Sequence, residues 1–225
     1  MTMQPNPEQR FVFPPWTNKL PPLSFVAAIG GLIGVIAGIW FYFSPSNTDV
    51  GYSPDQPIPY SHKLHAGDMG MDCRYCHVNV ERSWVASVPP TQVCMNCHAQ
   101  VRKDSPKLAA LRESWAKGTP VKWVRIHKSP DYVYFPHNRH VTSGVGCVEC
   151  HGRIDQMIKV RQEQSLSMGW CLECHRDPAP HLRPADKVTT MDWEPPAGET
   201  RESFGQKLVQ ANKIAPPTDC SRCHR

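Results

Sequence analysis

The chain has 225 residues, of which 40% are apolar, with 23 prolines, 14 glycines and a formal net charge of +5. That length allows one or two domains, but the apolar share is thin for a soluble part that must build its own core. The basic balance is modest and includes no run of Lys or Arg, so it gives no support to nucleic-acid binding.

Residues 1–22 form a polar N-terminal segment containing Arg10 and Lys19. Leu23 to Phe43 follows, a stretch of 21 residues without a charge. As a helix it is long enough to cross a bilayer core. Trp40, Phe41, Tyr42 and Phe43 make an aromatic belt at one end, and Trp16 precedes the other. A cleaved signal peptide is the rival reading. The run is longer than a typical signal core, and no small-x-small site precedes SPSN, so a retained anchor is expected. Gly30, Gly34 and Gly38 fall four apart, a spacing that lets another membrane helix approach closely. Ser44 to Pro59 is polar and Pro-containing and reads as a linker to a domain at 60–225.

That domain holds all ten cysteines, and each belongs to one five-residue pattern. The copies are Cys73-x-x-Cys76-His77, Cys94-x-x-Cys97-His98, Cys147-x-x-Cys150-His151, Cys171-x-x-Cys174-His175 and Cys220-x-x-Cys223-His224. C-x-x-C-H is the attachment signature of haem c: two thiols bond the porphyrin vinyl groups, and the next histidine lies under the iron. Zinc needs four ligands per site and gives no reason for a histidine after every pair. A disulfide framework gives none either, and a redox C-x-x-C belongs near a βαβ pattern that is not visible here. Five matches with no spare cysteine predict five covalently attached haem c groups.

Six histidines remain, and a low-spin electron-transfer haem needs a sixth ligand, usually His or Met. His62 and His65 precede the first motif as H-x-x-H, and His137 and His140 precede the third in the same way. Each arrangement is followed by a second C-x-x-C-H, so the chain contains an internal repeat whose cysteines recur 74 and 77 residues apart. Two histidines three apart share a helix face yet splay enough to reach different irons. His62, His65, His127, His137 and His140 are therefore candidate distal ligands. His181, in a Pro-rich run, stays open between a ligand and a loop residue, and Met168 is an alternative donor. With enough donors to close every iron, the haems read as relays, not as reaction centres.

Two helices are predicted between motifs. Ser105 to Gly118 has an N-cap Ser, Pro at N1 and a closing Gly. Glu202 to Ile214 is expected to bury Phe204, Leu208 and Ala211. The expected fold is a multihaem cytochrome c with little regular secondary structure, a few short helices packed around five haems, and one N-terminal transmembrane helix. Haem c is attached outside the bacterial cytoplasm. The haem domain is thus expected on the periplasmic side of the inner membrane, with Arg10 and Lys19 inside in keeping with the positive-inside rule.

DYVYFPHNRHVTSGVGCVECHGRIDQM and SLSMGWCLECHRDP resemble multihaem cytochromes of the class III, c3/c7-like type. The resemblance is closest to the pentahaem subunits of bacterial alternative complex III and covers nearly the whole chain. It implies an electron-transfer subunit of a quinol oxidoreductase, not a catalytic chain by itself. The implied partners are a polytopic quinol-binding subunit, an iron–sulfur subunit, a monohaem cytochrome, and a periplasmic carrier or oxidase as acceptor. It further implies that His62 serves the Cys73/Cys76 haem and His137 the Cys147/Cys150 haem. The competing function is a self-sufficient, membrane-anchored quinol dehydrogenase feeding a periplasmic reductase.

Overall fold

The computed structural model describes residues 13–224, so Glu8 and Arg10 lie outside the described residues. The chain divides into two compact units, one ending at Asn47 and one beginning at Thr48.

In the first unit a 3-10 turn, Pro15–Lys19, runs into helix α1, Leu20–Tyr42. Pro21 and Pro22 occupy the first turn, where a missing N–H breaks no helical bond. The helix thus begins three residues before the uncharged run. It ends where the Phe43 N–H returns to the Ile39 carbonyl and the Asn47 amide donates to the Tyr42 carbonyl at 3.0 Å. α1 is apolar all round and buries none of its residues. Together with the preceding turn it has a mean hydropathy of 2.2 over its best window and the length to cross a membrane.

After α2, Pro45–Thr48, the second unit is helical. Its elements are a π-helical turn at Lys63–Asp68, then α3, Cys73–Cys76, α4, Thr91–His98, and α5, Ala109–Lys117. α6, His137–Thr142, α7, Cys147–His151, and α8, Met168–Arg176, follow, and α9, Arg201–Asn212, and α10, Cys220–Cys223, complete it. Among the described residues there is no strand, only isolated bridges joining Val133 to His224 and Val145 to Leu182. Few apolar side chains are fully buried, chiefly Ile58, Leu111, Met157, Leu182, Val188 and Met191. Most of the cysteines are half-buried.

The two predicted inter-motif helices form. Ser105 is extended and Pro106 opens a 3-10 turn that continues as α5, closed by Gly118 in the left-handed region at φ 64°. α9 is capped by reciprocal hydrogen bonds between Thr200 and Ser203. Its contact face differs from the expected one: Ala211 is exposed, and Phe204 and Leu208 are half-buried. The buried residue is Gly205, where an added Cβ would collide with the Ala179 carbonyl oxygen. Helix and loop approach here through backbone, which a pattern of apolar side chains does not reveal. Residues 49–59 are bonded into the second unit: Gly51 N–H donates to the Gln162 carbonyl, Ser53 Oγ to Val160, and the Gln56 amide to Val124.

Candidate haem sites

Each C-x-x-C-H falls on a short helical turn, which places both thiols and the histidine on one end of the element. Local chemistry starts two of the turns. The Asp72 carboxylate accepts from the Arg74 N–H at 2.8 Å, and the Ser167 hydroxyl accepts from the Trp170 N–H at 3.3 Å.

The histidines after the cysteines are oriented by backbone. Nδ1 lies 2.7 Å from the Ser87 carbonyl oxygen in His77, 2.9 Å from Val101 in His98, 2.6 Å from Pro217 in His175 and 3.3 Å from Tyr132 in His224. A carbonyl oxygen only accepts, so Nδ1 carries the proton and Nε2 keeps its lone pair. That is how a protein prepares an imidazole to bind metal through Nε2.

The two halves of the repeat have the same build. Tyr60 stacks on His65 at 4.5 Å and meets His62 edge-on at 4.8 Å. Phe135 stacks on His140 at 4.3 Å and meets His137 edge-on at 4.8 Å. The second histidine of each pair donates from Nδ1 to the carbonyl four residues back, Ser61 or Pro136, at 2.9 Å in both. Each then faces the histidine of the next motif but one in its half: His65 lies 6.2 Å from His98, and His140 lies 6.1 Å from His175, ring to ring. Two imidazoles bound through nitrogens about 2 Å from one shared metal have ring centres about 6 Å apart. The residues present therefore fit two axial imidazoles on one iron at the second and fourth motifs.

His62, His127 and His137 gather near His77 and His151. The His127 and His151 rings are 4.4 Å apart, with His127 Nε2 3.3 Å from His151 Nδ1. His137 donates from Nδ1 to the Trp84 carbonyl at 3.0 Å, and the buried His62 Nδ1 has no hydrogen-bond partner. Burial, then the nearby imidazoles, lowers His151 to about 3 and His62 to about 4. Both are neutral at physiological pH, the form that binds metal. The ring against His224 is Tyr132, at 5.6 Å.

Contacts between motifs define a file. Asn96 of the second motif donates to the Tyr75 hydroxyl of the first at 3.2 Å. First and third are tied through neighbouring residues: Thr189 donates to Asp72 at 2.9 Å, and Cys147 N–H donates to the Val188 carbonyl at 3.0 Å. The Cys73 and Cys147 thiols are themselves hydrogen-bonded, which lowers Cys73 and raises Cys147. Third and fourth meet at Cys150, pushed up to about 12 by burial and then by Cys174, Glu149 and Cys171. Fourth and fifth are joined by His175 and Pro217. These contacts link the second motif to the first, the first to the third, the third to the fourth and the fourth to the fifth, and the fifth also meets the segment before the third, where the Tyr134 N–H donates to the Cys223 carbonyl. Burial raises the Cys76, Cys94, Cys171 and Cys174 thiols as well.

Tyr60 and Phe135 are absent from the expected site. The signal for them was in the repeat, an aromatic residue two positions before the first histidine in both copies. Glu149 was hidden as a variable position inside the third motif. Its carboxylate accepts from Arg183 at 2.8 Å and from His181 at 2.9 Å, with Arg201 at 3.8 Å. Arg183 is only 2% exposed. The Glu149 hydrogen bond pushes His181 up and favours its charged form, which sets it apart from the carbonyl-locked histidines. Met168, the other open donor, is exposed at the start of α8.

Comparison with known proteins gives two likenesses. Residues 133–225 match the family of cytochrome c7 and related cytochrome c, which spans the third, fourth and fifth motifs. The chain is also 29% identical over 198 residues to the multiheme cytochrome c subunit of menaquinone reductase from Nitratidesulfovibrio vulgaris, covering 87% of this chain and 78% of that one. The likeness is to proteins that carry covalently bound haem c.

Proposed function

We propose that the chain is a membrane-anchored pentahaem cytochrome c that relays electrons for a quinol-oxidising complex of the alternative complex III kind. Haem c supplies one-electron transfer at its iron. The cysteine pairs would tether each group, and His77, His98, His151, His175 and His224 would hold the irons from one side. His65 and His140 would close the second and fourth irons from the other. His62, His127 and His137 would be shared around the first and third, where they crowd His77 and His151.

The observation that carries this reading is the carbonyl-locked Nδ1 at His77, His98, His175 and His224, joined at two of them by an opposed imidazole 6.1–6.2 Å away. The motif file supports a relay. The long apolar α1 supports an anchor, and attachment of haem c outside the cytoplasm would put the second unit on the periplasmic side; Gly30, Gly34 and Gly38 support packing against a polytopic quinol-binding partner. An iron–sulfur subunit and a monohaem cytochrome are the further partners proposed, with a periplasmic carrier or oxidase as acceptor. The relative's name puts it in a quinone-linked complex, and the same relay would serve either direction of quinone chemistry.

The test is expression with haem c maturation in a bacterial host. The alkaline pyridine spectrum should count five haems per chain, and electron paramagnetic resonance should show low-spin iron. Gentle detergent extraction should recover the chain with polytopic partners. High-spin iron that binds CO at several sites, or activity as a lone quinol dehydrogenase, would overturn the reading.

A further inference from the structure

The charge of the chain is unevenly placed. Residues 101–128 hold eight Lys and Arg against Asp104 and Glu113, an excess of six, whereas the whole chain has an excess of five. The rest of the protein is therefore slightly acidic in formal charge, and the positive field comes from one segment.

That segment adjoins the motif at one end of the file. His98 donates from Nδ1 to the Val101 carbonyl at 2.9 Å. Arg112 of α5 donates to the Lys103 and Ser105 carbonyls at 2.7 and 2.8 Å, which draws the 103–107 turn against the helix. A Thr91–Ser114 hydroxyl bond at 2.6 Å ties α5 to α4. Arg102 and Lys103 thus directly follow the residue that holds His98, and with Lys107 they are exposed and, among the described residues, in no ion pair. Elsewhere in the unit exposed cations are mostly paired: Lys63 with Asp68, Arg153 with Asp155, Lys159 with Asp55, Arg161 with Glu163 and Lys207 with Glu199. Val101, 55% exposed, and Trp115, 52% exposed, supply apolar surface beside the cations. A small apolar patch edged by unpaired charge of one sign suits transient docking, in which complementary charge speeds encounter more than it tightens the complex.

We propose that this face, around Val101, Arg102, Lys103 and Lys107, docks an acidic electron-carrier protein at the second motif. The inference rests on the relay reading above. It adds to that reading which end of the file meets a charged partner, and the partner's sign.

The full-length, haem-loaded protein in detergent is titrated with an acidic flavodoxin, and binding is followed by calorimetry across a range of salt. Binding should weaken steeply as salt rises. The variant Arg102→Glu/Lys103→Glu/Lys107→Glu should bind about tenfold more weakly at low salt. Lys187→Glu/Lys207→Glu/Lys213→Glu, an equal change of charge at exposed residues outside 101–128 and outside every motif, should bind as the parent does. Salt-independent binding, no binding, or loss confined to the Lys187/Lys207/Lys213 variant would overturn the proposal. So would a face that serves anionic lipid: the triple variant would then bind the carrier normally while losing an anionic-lipid-dependent quenching of a fluorophore attached at the exposed Ala109→Cys. Haem is counted spectroscopically in the same samples. Missing haem would signal failure of the relay reading, and unchanged binding in haem-loaded protein would signal failure of the docking face.

Discussion

The two halves of the internal repeat agree on their inner side and part company on their outer side. Tyr60 and Phe135, the two H-x-x-H pairs, the carbonyl locks four residues back and the 6.1–6.2 Å imidazole separations all recur. The residue just before the first cysteine does not. In the first half it is Asp72, which caps α3 and pairs with the half-exposed Arg74, itself bonded to Glu81. In the second half it is Gly146, and an added Cβ there would collide with the Arg183 guanidinium. Arg183 reaches over from a distant loop to the Glu149 carboxylate inside the motif and lies over the Trp193 ring at 5.4 Å. The first half thus completes its turn with its own residues, and the second, placed at the middle of the file, completes it by packing. The contacts around the paired histidines recur in both halves, while the back of each turn follows how deeply it is buried.

The largest effect should come from removing the two arginines. Arg183→Met leaves Glu149 with His181 and a more distant Arg201, and breaking a buried pair costs about 3 kcal/mol or more. Arg74→Met breaks half-exposed pairs and should cost about 1 kcal/mol or less. Guanidinium unfolding of the haem-loaded protein measures both, and equal costs would remove the distinction between the halves. The next effect is at the pre-cysteine position. Gly146→Ala must displace Arg183 and should cost about 1–3 kcal/mol, the range for overpacking. Asp72→Ala loses a helix cap, worth about 1 kcal/mol. If Gly146→Ala is neutral, Arg183 has room to give way and the second half is looser than its contacts imply.

Sequence reached the features whose causes are local. The cysteine motifs, the uncharged span, the Ser105–Gly118 helix and its left-handed Gly118 all follow from residues within a few positions of one another. It also reached the repeat, but not the pairing of its histidines. His65 meets His98 and His140 meets His175 across more than thirty residues of chain, and spacing does not say where such a segment returns. Glu149 looked like a free position because its partners Arg183 and His181 are more than thirty residues downstream. Gly205 carries the α9 contact through its lack of a side chain, so the apolar stripe of Phe204, Leu208 and Ala211 does not mark it.

The smallest effect, and the one that most sharpens the contrast, is in pH. In the first half, hydrogen bonds from Arg74 lower Asp72 from an ordinary 3.8 to about 2. A carboxylate held below its unfolded value stabilises the fold above that value, and the contribution disappears as pH falls through the folded one. This half should weaken on the acid side, between about pH 4 and 2, and Asp72→Asn should remove that part of the loss. In the second half the Glu149 hydrogen bond raises His181 above its ordinary 6.5. Its contribution is fully present below the unfolded value and disappears as pH rises through the raised one. His181 should therefore add a weakening on the neutral-to-alkaline side, and His181→Gln should remove that contribution while leaving the one from Asp72 in place. Unfolding midpoints of the parent and the two variants across the pH range test the separation. A variant that flattens the opposite limb would mean that the two halves do not differ in the electrostatics behind their turns.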